Sequence, residues 1–245
     1  MRLDAVLLER GLAESRARAS ALVLAGKVFS RERRLDKPGH LVSPGIPLEV
    51  RGEPHPWVSR GGLKLAHGLD YFGLEVEGRT ALDVGASAGG FTDVLLARGA
   101  KRVYAVDVGR GQLAWKLRND ARVVVLEGVN ARYLSREQVP EAIDLIVCDA
   151  SFIGLATVLP APLALAAPGA HLLALIKPQF EVGKGRVGKG GIVRDPKLHA
   201  EVRARIRDWL AARPGWEVLG ISESPISGQD GNKEFLIACA GPRGI

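Results

Sequence analysis

Short apolar runs alternate with helical spacings along most of the chain. Thr80–Val84, Val103–Val106, Val123–Leu126, Leu145–Cys148, Leu172–Ile176, Trp216–Ile221 and Phe235–Ala238 are runs of aliphatic and β-branched residues bounded by glycine, charge or proline. Such runs predict strands buried on both faces. Between them the apolar spacing turns helical, as from Gly62 to Leu69 and through Val94, Leu95 and Leu96. Strands alternating with helices predict an α/β fold of Rossmann-like type, a doubly wound, mostly parallel sheet of seven strands. Ligands of such sheets bind outside the C-terminal strand ends. Asp83, Asp107, Asn130, Asp149 and Lys177 all fall just after or at those ends.

The first fifty residues follow a different pattern. Leu3, Val6, Leu7 and Leu8 have helical spacing that stops at Gly11, and Ser15 is placed to cap a second helix carrying Ala19, Leu22, Val23 and Leu24 up to Gly26. Lys27-Val28-Phe29 and Pro47 to Val50 read as strands. We therefore expect a small α+β domain over 1–50, a proline-punctuated linker over 51–59 with Trp57 as its one aromatic, and the α/β domain over 60–245. A chain of 245 residues is long enough for both.

Composition sharpens this picture. The net charge is +7 and the sequence pI about 9.7, which favours a polyanionic partner. From Met1 to Arg60 there are eleven Lys or Arg against seven Asp or Glu, so this part carries a surplus of four. Cys148 and Cys239 both sit in apolar runs, as reduced, buried thiols of a cytoplasmic protein do. The five histidines show no metal-binding spacing, and no metal site is expected. The N-terminus has no signal-peptide core, and the uncharged stretch from Ala150 to Ile176 is cut by Pro160, Pro162 and Pro168. That stretch reads as core, so a soluble protein with no membrane partner is expected. The sequence does not set the oligomeric state; a monomer is compatible with it.

The chemistry centres on Arg79 to Phe91, RTALDVGASAGGF: a strand, a glycine turn and the start of a helix. Glycines let backbone approach a ligand, and a helix start offers unpaired N–H groups. Ser87 stands where the dinucleotide fingerprint has its second glycine, and no phosphate-loop motif is present. Asp83 before the turn and Asp107 at the end of the next strand suit a cofactor with an amino group and a ribose but no pyrophosphate, which describes S-adenosylmethionine. Its candidate contacts are Asp83, Gly85, Ser87, Gly89, Gly90 and Phe91 around the turn, then Asp107, Val108, Asn130 and Asp149 at the following strand ends. Methyltransferases of base amino groups usually carry N/D-P-P-Y/F where this chain has Asp149-Ala150-Ser151-Phe152, which speaks against that substrate. Cys148 lies inside its strand and is expected to face the core, which speaks against a cysteine-dependent base methylation.

Two resemblances add to these readings. RLD…RGLAESRARA…AGKV…KP is similar to the small RNA-binding domain named after ribosomal protein S4, in which the second helix and following turn lie on structured RNA. Lys64 in SRGGLKL, Asp149 in CDASF, Lys177 in LIKPQFE and Glu234 in GNKEFL resemble the Lys-Asp-Lys-Glu tetrad of the FtsJ-like ribose 2′-O-methyltransferases. Together with GASAGGF, KPQFEVGKG and the N-terminal domain, they resemble the TlyA family over nearly the whole chain. That resemblance implies S-adenosylmethionine-dependent 2′-O-methylation of cytidine in the rRNA of ribosomal subunits. It also implies Lys177 as base, with Lys64, Asp149 and Glu234 orienting it and the ribose. A ribose hydroxyl is a poor nucleophile, so its proton must leave as the methyl arrives, and lysine serves as base only as the neutral amine. Phe180 to Asp195, rich in glycine and cations, reads as a loop that closes on RNA phosphates. The expected RNA contacts are Arg2, Arg16, Arg18 and Lys27 in the first domain and Arg60, Lys184, Arg186 and Lys189 in the second. The alternatives are a non-catalytic RNA-binding or ribosome-assembly factor and, from the family's older haemolysin name, a membrane-lytic protein.

Overall fold

The computed structural model describes residues 1–242 except 14, 32, 44, 51–54, 184 and 229–230. The chain forms two compact units, Met1–His55 and Pro56–Ile245. In the first, α1 (Leu3–Glu9) and α2 (Arg16–Leu24) pack on a small antiparallel sheet of β1 (Val28–Ser30), β2 (Arg33–Arg34) and β3 (Glu49–Val50). Leu3, Leu7, Ala19, Val23 and Val28 are fully buried at its centre. Ser15 caps α2 as its position suggests, its Oγ accepting from the Arg18 N–H at 3.1 Å. The β2 strand was not expected, because two exposed arginines carry no apolar alternation; it forms by pairing with the edge of β1.

The second unit is a three-layer α/β domain. Its strands are β4 (Thr80–Val84), β5 (Arg102–Asp107), β6 (Val123–Glu127), β7 (Ile143–Cys148), β8 (Ala166–Ile176), β9 (Glu217–Glu223) and β10 (Phe235–Ala240). They stand in the order β6-β5-β4-β7-β8-β10-β9, parallel except for β10, which runs antiparallel to both of its neighbours. Successive residues of each strand feed opposite layers. Ala81, Val103, Leu145, Leu173 and Leu236 meet α3 (Gly61–Phe72), α4 (Gly90–Ala97) and α5 (Trp115–Arg118) on one face. Leu82, Tyr104, Ile146, Leu172 and Ile237 meet α6 (Leu155–Val158), α7 (Pro160–Ala164) and, after the short α8 (Pro178–Glu181), α9 (Pro196–Ala211) on the other. The uncharged stretch from Ala150 to Ile176 is core in part: Leu155, Val158, Leu159, Leu163 and Leu172 to Ile176 are buried while Ser151, Phe152 and Pro168 are exposed. No helix among the described residues is long and apolar enough to cross a membrane.

Two boundaries differ from expectation. β8 begins at Ala166 and runs through Pro168 and Gly169, because the Gly169 N–H donates to the Pro242 carbonyl (2.6 Å) and a register shift beside Ile143 accommodates the extra length. Pro56 to Ser59, read as the end of a linker, are part of the second unit. Trp57 lies against α3 at Gly62, and the Val58 N–H donates to Asp93 Oδ2 at 2.8 Å. The rest of that linker, 51–54, lies outside the described residues.

Candidate active site

Strand order reverses at β4, whose neighbours β5 and β7 lead to opposite halves of the sheet, and a crevice opens at the C-terminal ends there. The chain leaves β4 through a turn that only glycine suits at two points. Gly85 has φ +85° and a Cβ on it would lie 2.9 Å from the Ala150 Cα; Gly89 has φ +94° and its Cβ would lie 2.3 Å from Leu117 Cδ1.

Two lysine–carboxylate pairs stand at this edge. Lys64, on α3, places Nζ 2.5 Å from Glu234 Oε2, and both side chains are buried. Lys177, just after β8, places Nζ 2.6 Å from Asp149 Oδ1 and donates to the Asp149 main-chain oxygen (3.0 Å) and to Ser151 Oγ (2.8 Å). Topology explains the assembly. Asp149 and Lys177 follow adjacent parallel strands, whereas Glu234 precedes β10, and the reversal of β10 brings its beginning to the same edge. Phe235 pairs with Ile176, so Glu234 arrives beside Lys177. All four line one cavity of about 560 Å³, along with Arg60, Gly90 and Phe91. Each lysine is matched to its own acid, so the two buried cations are locally neutralised.

A second cavity, of about 620 Å³, opens between the ends of β4, β5 and β6 and shares Gly85, Ser87, Asp149, Ser151 and Phe152 with the first. Asp107, Val108 and Asn130 line it. Asp107 also shapes it, accepting the Ser87 N–H on Oδ2 (2.8 Å) and the Gly109 N–H on Oδ1 (2.7 Å). Asn130 uses its Oδ1 to cap the short turn Ala131–Tyr133. Glu127, at the end of β6, fixes the adjoining loop by accepting the Gly111, Gln112 and Leu113 N–H groups. The Arg118 guanidinium and the Gly111 N–H hold its carboxyl down at about 2.

Asp83 and Gly89, expected as cofactor contacts, line neither cavity. Gly89 makes the turn into α4. Asp83 is fully buried behind it, with Oδ2 accepting from Thr92 Oγ1 at 2.7 Å and Oδ1 without a hydrogen-bond partner among the described residues. Burial outweighs the Thr92 bond and pushes this carboxyl up to about 7. An unfolded aspartate ionises near 3.8, so as pH rises the unfolded chain releases a proton that the folded chain keeps until about 7. The stability due to the protonated form is complete below the unfolded value and is lost as pH climbs through 7. Between about pH 4 and pH 7 the Tm of the wild type should therefore fall with pH relative to that of Asp83→Asn, and above pH 7 the two curves should run parallel. Parallel curves over the lower range as well would contradict this assignment.

Cys148 faces the core, and burial pushes its thiol up to about 12, far from the thiolate a nucleophile needs. Cys148→Ala should change kcat by less than about threefold; a loss of all turnover in the folded variant would reinstate a cysteine mechanism.

Among the expected RNA contacts, Arg18, Arg60 and Lys189 are exposed. Arg186 is not a free cation of the glycine-rich loop, because it forms a two-pronged pair with Glu201 on α9 (2.6 and 2.5 Å). Arg2 and Arg16 both pair with Asp4, Lys27 is half-buried, and Lys184 lies outside the described residues. Two site residues went unnoticed in the sequence. Ser151, the third partner of Lys177, is visible there only as a departure from the N/D-P-P-Y/F pattern. Phe152 beside it has φ +64° and is 90% exposed, with its ring 5.0 Å from that of Phe180 at the cavity mouth. A phenylalanine in the left-handed region is a strained arrangement of the kind found at ligand sites.

This strand order, the glycine turn at its switch point and the paired lysines at the same edge define a methyltransferase domain. Residues 57–240 match the FtsJ-like methyltransferase family and residues 1–45 the S4 domain, so the chain belongs to the FtsJ-like methyltransferases and carries an S4 domain at its N-terminal side. It is 51% identical, over 238 residues, to the 16S/23S rRNA (cytidine-2′-O)-methyltransferase TlyA of Mycobacterium tuberculosis, covering 96% of this chain and 88% of that protein. A solved structure of a hemolysin-named protein from Streptococcus thermophilus is similar with a TM-score of 0.76 at 42% identity, over 99% of this chain and 88% of that one. At 21% identity the O-methyltransferase of Bacillus cereus, solved in complex with SAH, shares the fold, with a TM-score of 0.50 over 78% of this chain and 83% of that one.

Proposed function

We propose that this chain transfers the methyl group of S-adenosylmethionine to the ribose 2′-hydroxyl of cytidine in ribosomal RNA. The observation that carries this reading is the convergence of two buried lysine–carboxylate pairs on a cavity that adjoins a second one suited to a nucleoside. The 620 Å³ space lies within the range that encloses a small-molecule ligand. Asp107 offers carboxylate acceptors for a ribose diol there, and Val108 and Asn130 offer an apolar contact and an amide for an adenine. Asp83 supports the turn from behind. The cofactor, once bound, supplies an electrophilic methyl on a sulfonium.

The tetrad accounts for the rest. The target hydroxyl takes the place of Ser151 Oγ on Lys177 Nζ, with the lysine in its amine form. With the methyl donor held in the adjoining cavity, Lys177 Nζ would take the hydroxyl proton as the ribose oxygen accepts the methyl group. Asp149 then holds the resulting ammonium with its carboxylate and main-chain oxygen, so these contacts are strongest after the proton arrives, which lowers the barrier. Lys64 and Glu234 neutralise each other and leave Asp149 as the acid facing Lys177. The exposed Phe152 ring offers a face on which a base lifted out of its stack can rest. The surplus of positive charge in the S4 domain, with Arg2, Arg16, Arg18 and Lys27, supports docking on rRNA phosphates.

Incubation with methyl-labelled S-adenosylmethionine and purified ribosomal subunits tests this reading, and label should enter rRNA. Cofactor binding without transfer to any RNA would leave a non-catalytic RNA-binding factor instead.

A further inference from the structure

In the first unit one acid sits where acids are rare. Asp4, on α1, is only 2% exposed, yet it bears on two arginines from different elements. Arg2, just ahead of α1, donates to it from Nε (3.1 Å) and Nη2 (2.8 Å). Arg16, the first residue of α2, places Nε 3.6 Å from Asp4 Oδ2. The Arg2 guanidinium holds the Asp4 carboxyl down at about 2, so the acid stays ionised at any working pH. Gly39 leaves open space beside the Arg2 guanidinium that a Cβ there would enter, about 3.4 Å from Nη1. Both arginine side chains nevertheless remain open to solvent, at 52% and 58%.

One carboxylate between two guanidiniums leaves a local surplus of one positive charge. A guanidinium has five N–H donors, and Arg2 uses two of them on Asp4. The other three N–H groups of Arg2 are not used on the acid, and Arg16 meets it as an ion pair rather than a hydrogen bond. An ordinary surface arginine must give up its rotamer freedom when it meets a phosphate, and Asp4 already restrains these two, Arg2 by two hydrogen bonds and Arg16 by charge.

We propose that Asp4 is a positioning residue for RNA, holding Arg2 and Arg16 as a preformed fork for the phosphates of structured rRNA. This rests on the reading of the S4 domain as the rRNA dock and adds to it the residue that sets the geometry. Counting charges alone leads to the opposite expectation, since removing an acid from a basic surface should tighten RNA binding.

The test is a titration of the full chain against purified ribosomal subunits over a range of salt concentrations. Asp4→Asn should weaken binding about three- to tenfold although it raises the net charge. Its log–log salt slope should stay near that of the wild type, because both arginines are still present. Arg2→Ala and Arg16→Ala should each flatten that slope by about 0.7 to 0.9. In the Arg2→Ala/Arg16→Ala background, Asp4→Asn should have no further effect on RNA affinity. Unchanged or tighter binding by Asp4→Asn would overturn the proposal. So would a further loss in the double-arginine background, which would show that Asp4 acts through the fold of the unit. If the double-arginine variant itself binds as tightly as the wild type, the docking surface has been misplaced, whatever Asp4 does.

Discussion

Replacing Lys177 by alanine should lower kcat for methyl transfer by about a hundred- to ten-thousandfold, the range over which a positioned acid or base acts. The affinity for S-adenosylmethionine should stay within about twofold, since the Lys177 side chain lines the tetrad cavity and not the one with Asp107 and Asn130. The size of the effect follows from the contacts. Lys177 Nζ is the one amine held to Asp149 and Ser151 together, and no other described cation reaches those oxygens. Alanine also leaves Asp149 without its cation in a buried site, so the variant should be compared by thermal unfolding as well as by rate. Lys177→Arg should not rescue, because guanidinium does not give up its proton. Full activity in either folded variant would remove Lys177 from the reaction.

The second large effect concerns the N-terminal unit. Removing residues 1–55 should abolish measurable binding to ribosomal subunits while leaving S-adenosylmethionine binding intact. The two functions draw on different residues: residues 1–45, the S4 domain, hold nine Lys or Arg against five Asp or Glu, whereas the residues lining the nucleoside cavity fall between Val84 and Val158. The remaining unit keeps its own core on both faces of the seven-stranded sheet. Isothermal titration with the cofactor and a subunit-binding assay measure the two halves of this expectation. Equal RNA affinity after truncation would show that docking resides elsewhere.

Much of this architecture is legible in the sequence, for a local reason. A strand such as Leu172–Ile176 is apolar throughout because helices cover both faces, so its course is written in its own residues. Of the four residues of the two lysine–carboxylate pairs, Asp149 and Lys177 were legible at strand ends, whereas Lys64 on a helix and Glu234 ahead of its strand came only through the resemblance to the FtsJ-like methyltransferases. Glu234 is the instructive case. It precedes its strand, and only the antiparallel course of β10 puts it with residues that follow theirs. What could not be read was the choice of partner. Arg186 looks like a free loop cation until Glu201 on α9 is seen beside it, and Asp83 looks like a ligand contact until its full burial is known. Ser151 and Phe152 act through a single hydrogen bond and a single left-handed backbone angle, and neither leaves a periodic trace in the sequence.

The methyl group should arrive on a ribose 2′-oxygen and on no base atom. Purified ribosomal subunits should be methylated with labelled S-adenosylmethionine by wild type and by Lys177→Ala, and the rRNA then hydrolysed in alkali. A 2′-O-methyl group blocks cleavage of the linkage on its 3′ side, so the wild type should yield a labelled dinucleotide whose 5′ nucleoside is the methylated cytidine, absent with Lys177→Ala. Label recovered on a base, in mononucleotides released by alkali, would contradict the account.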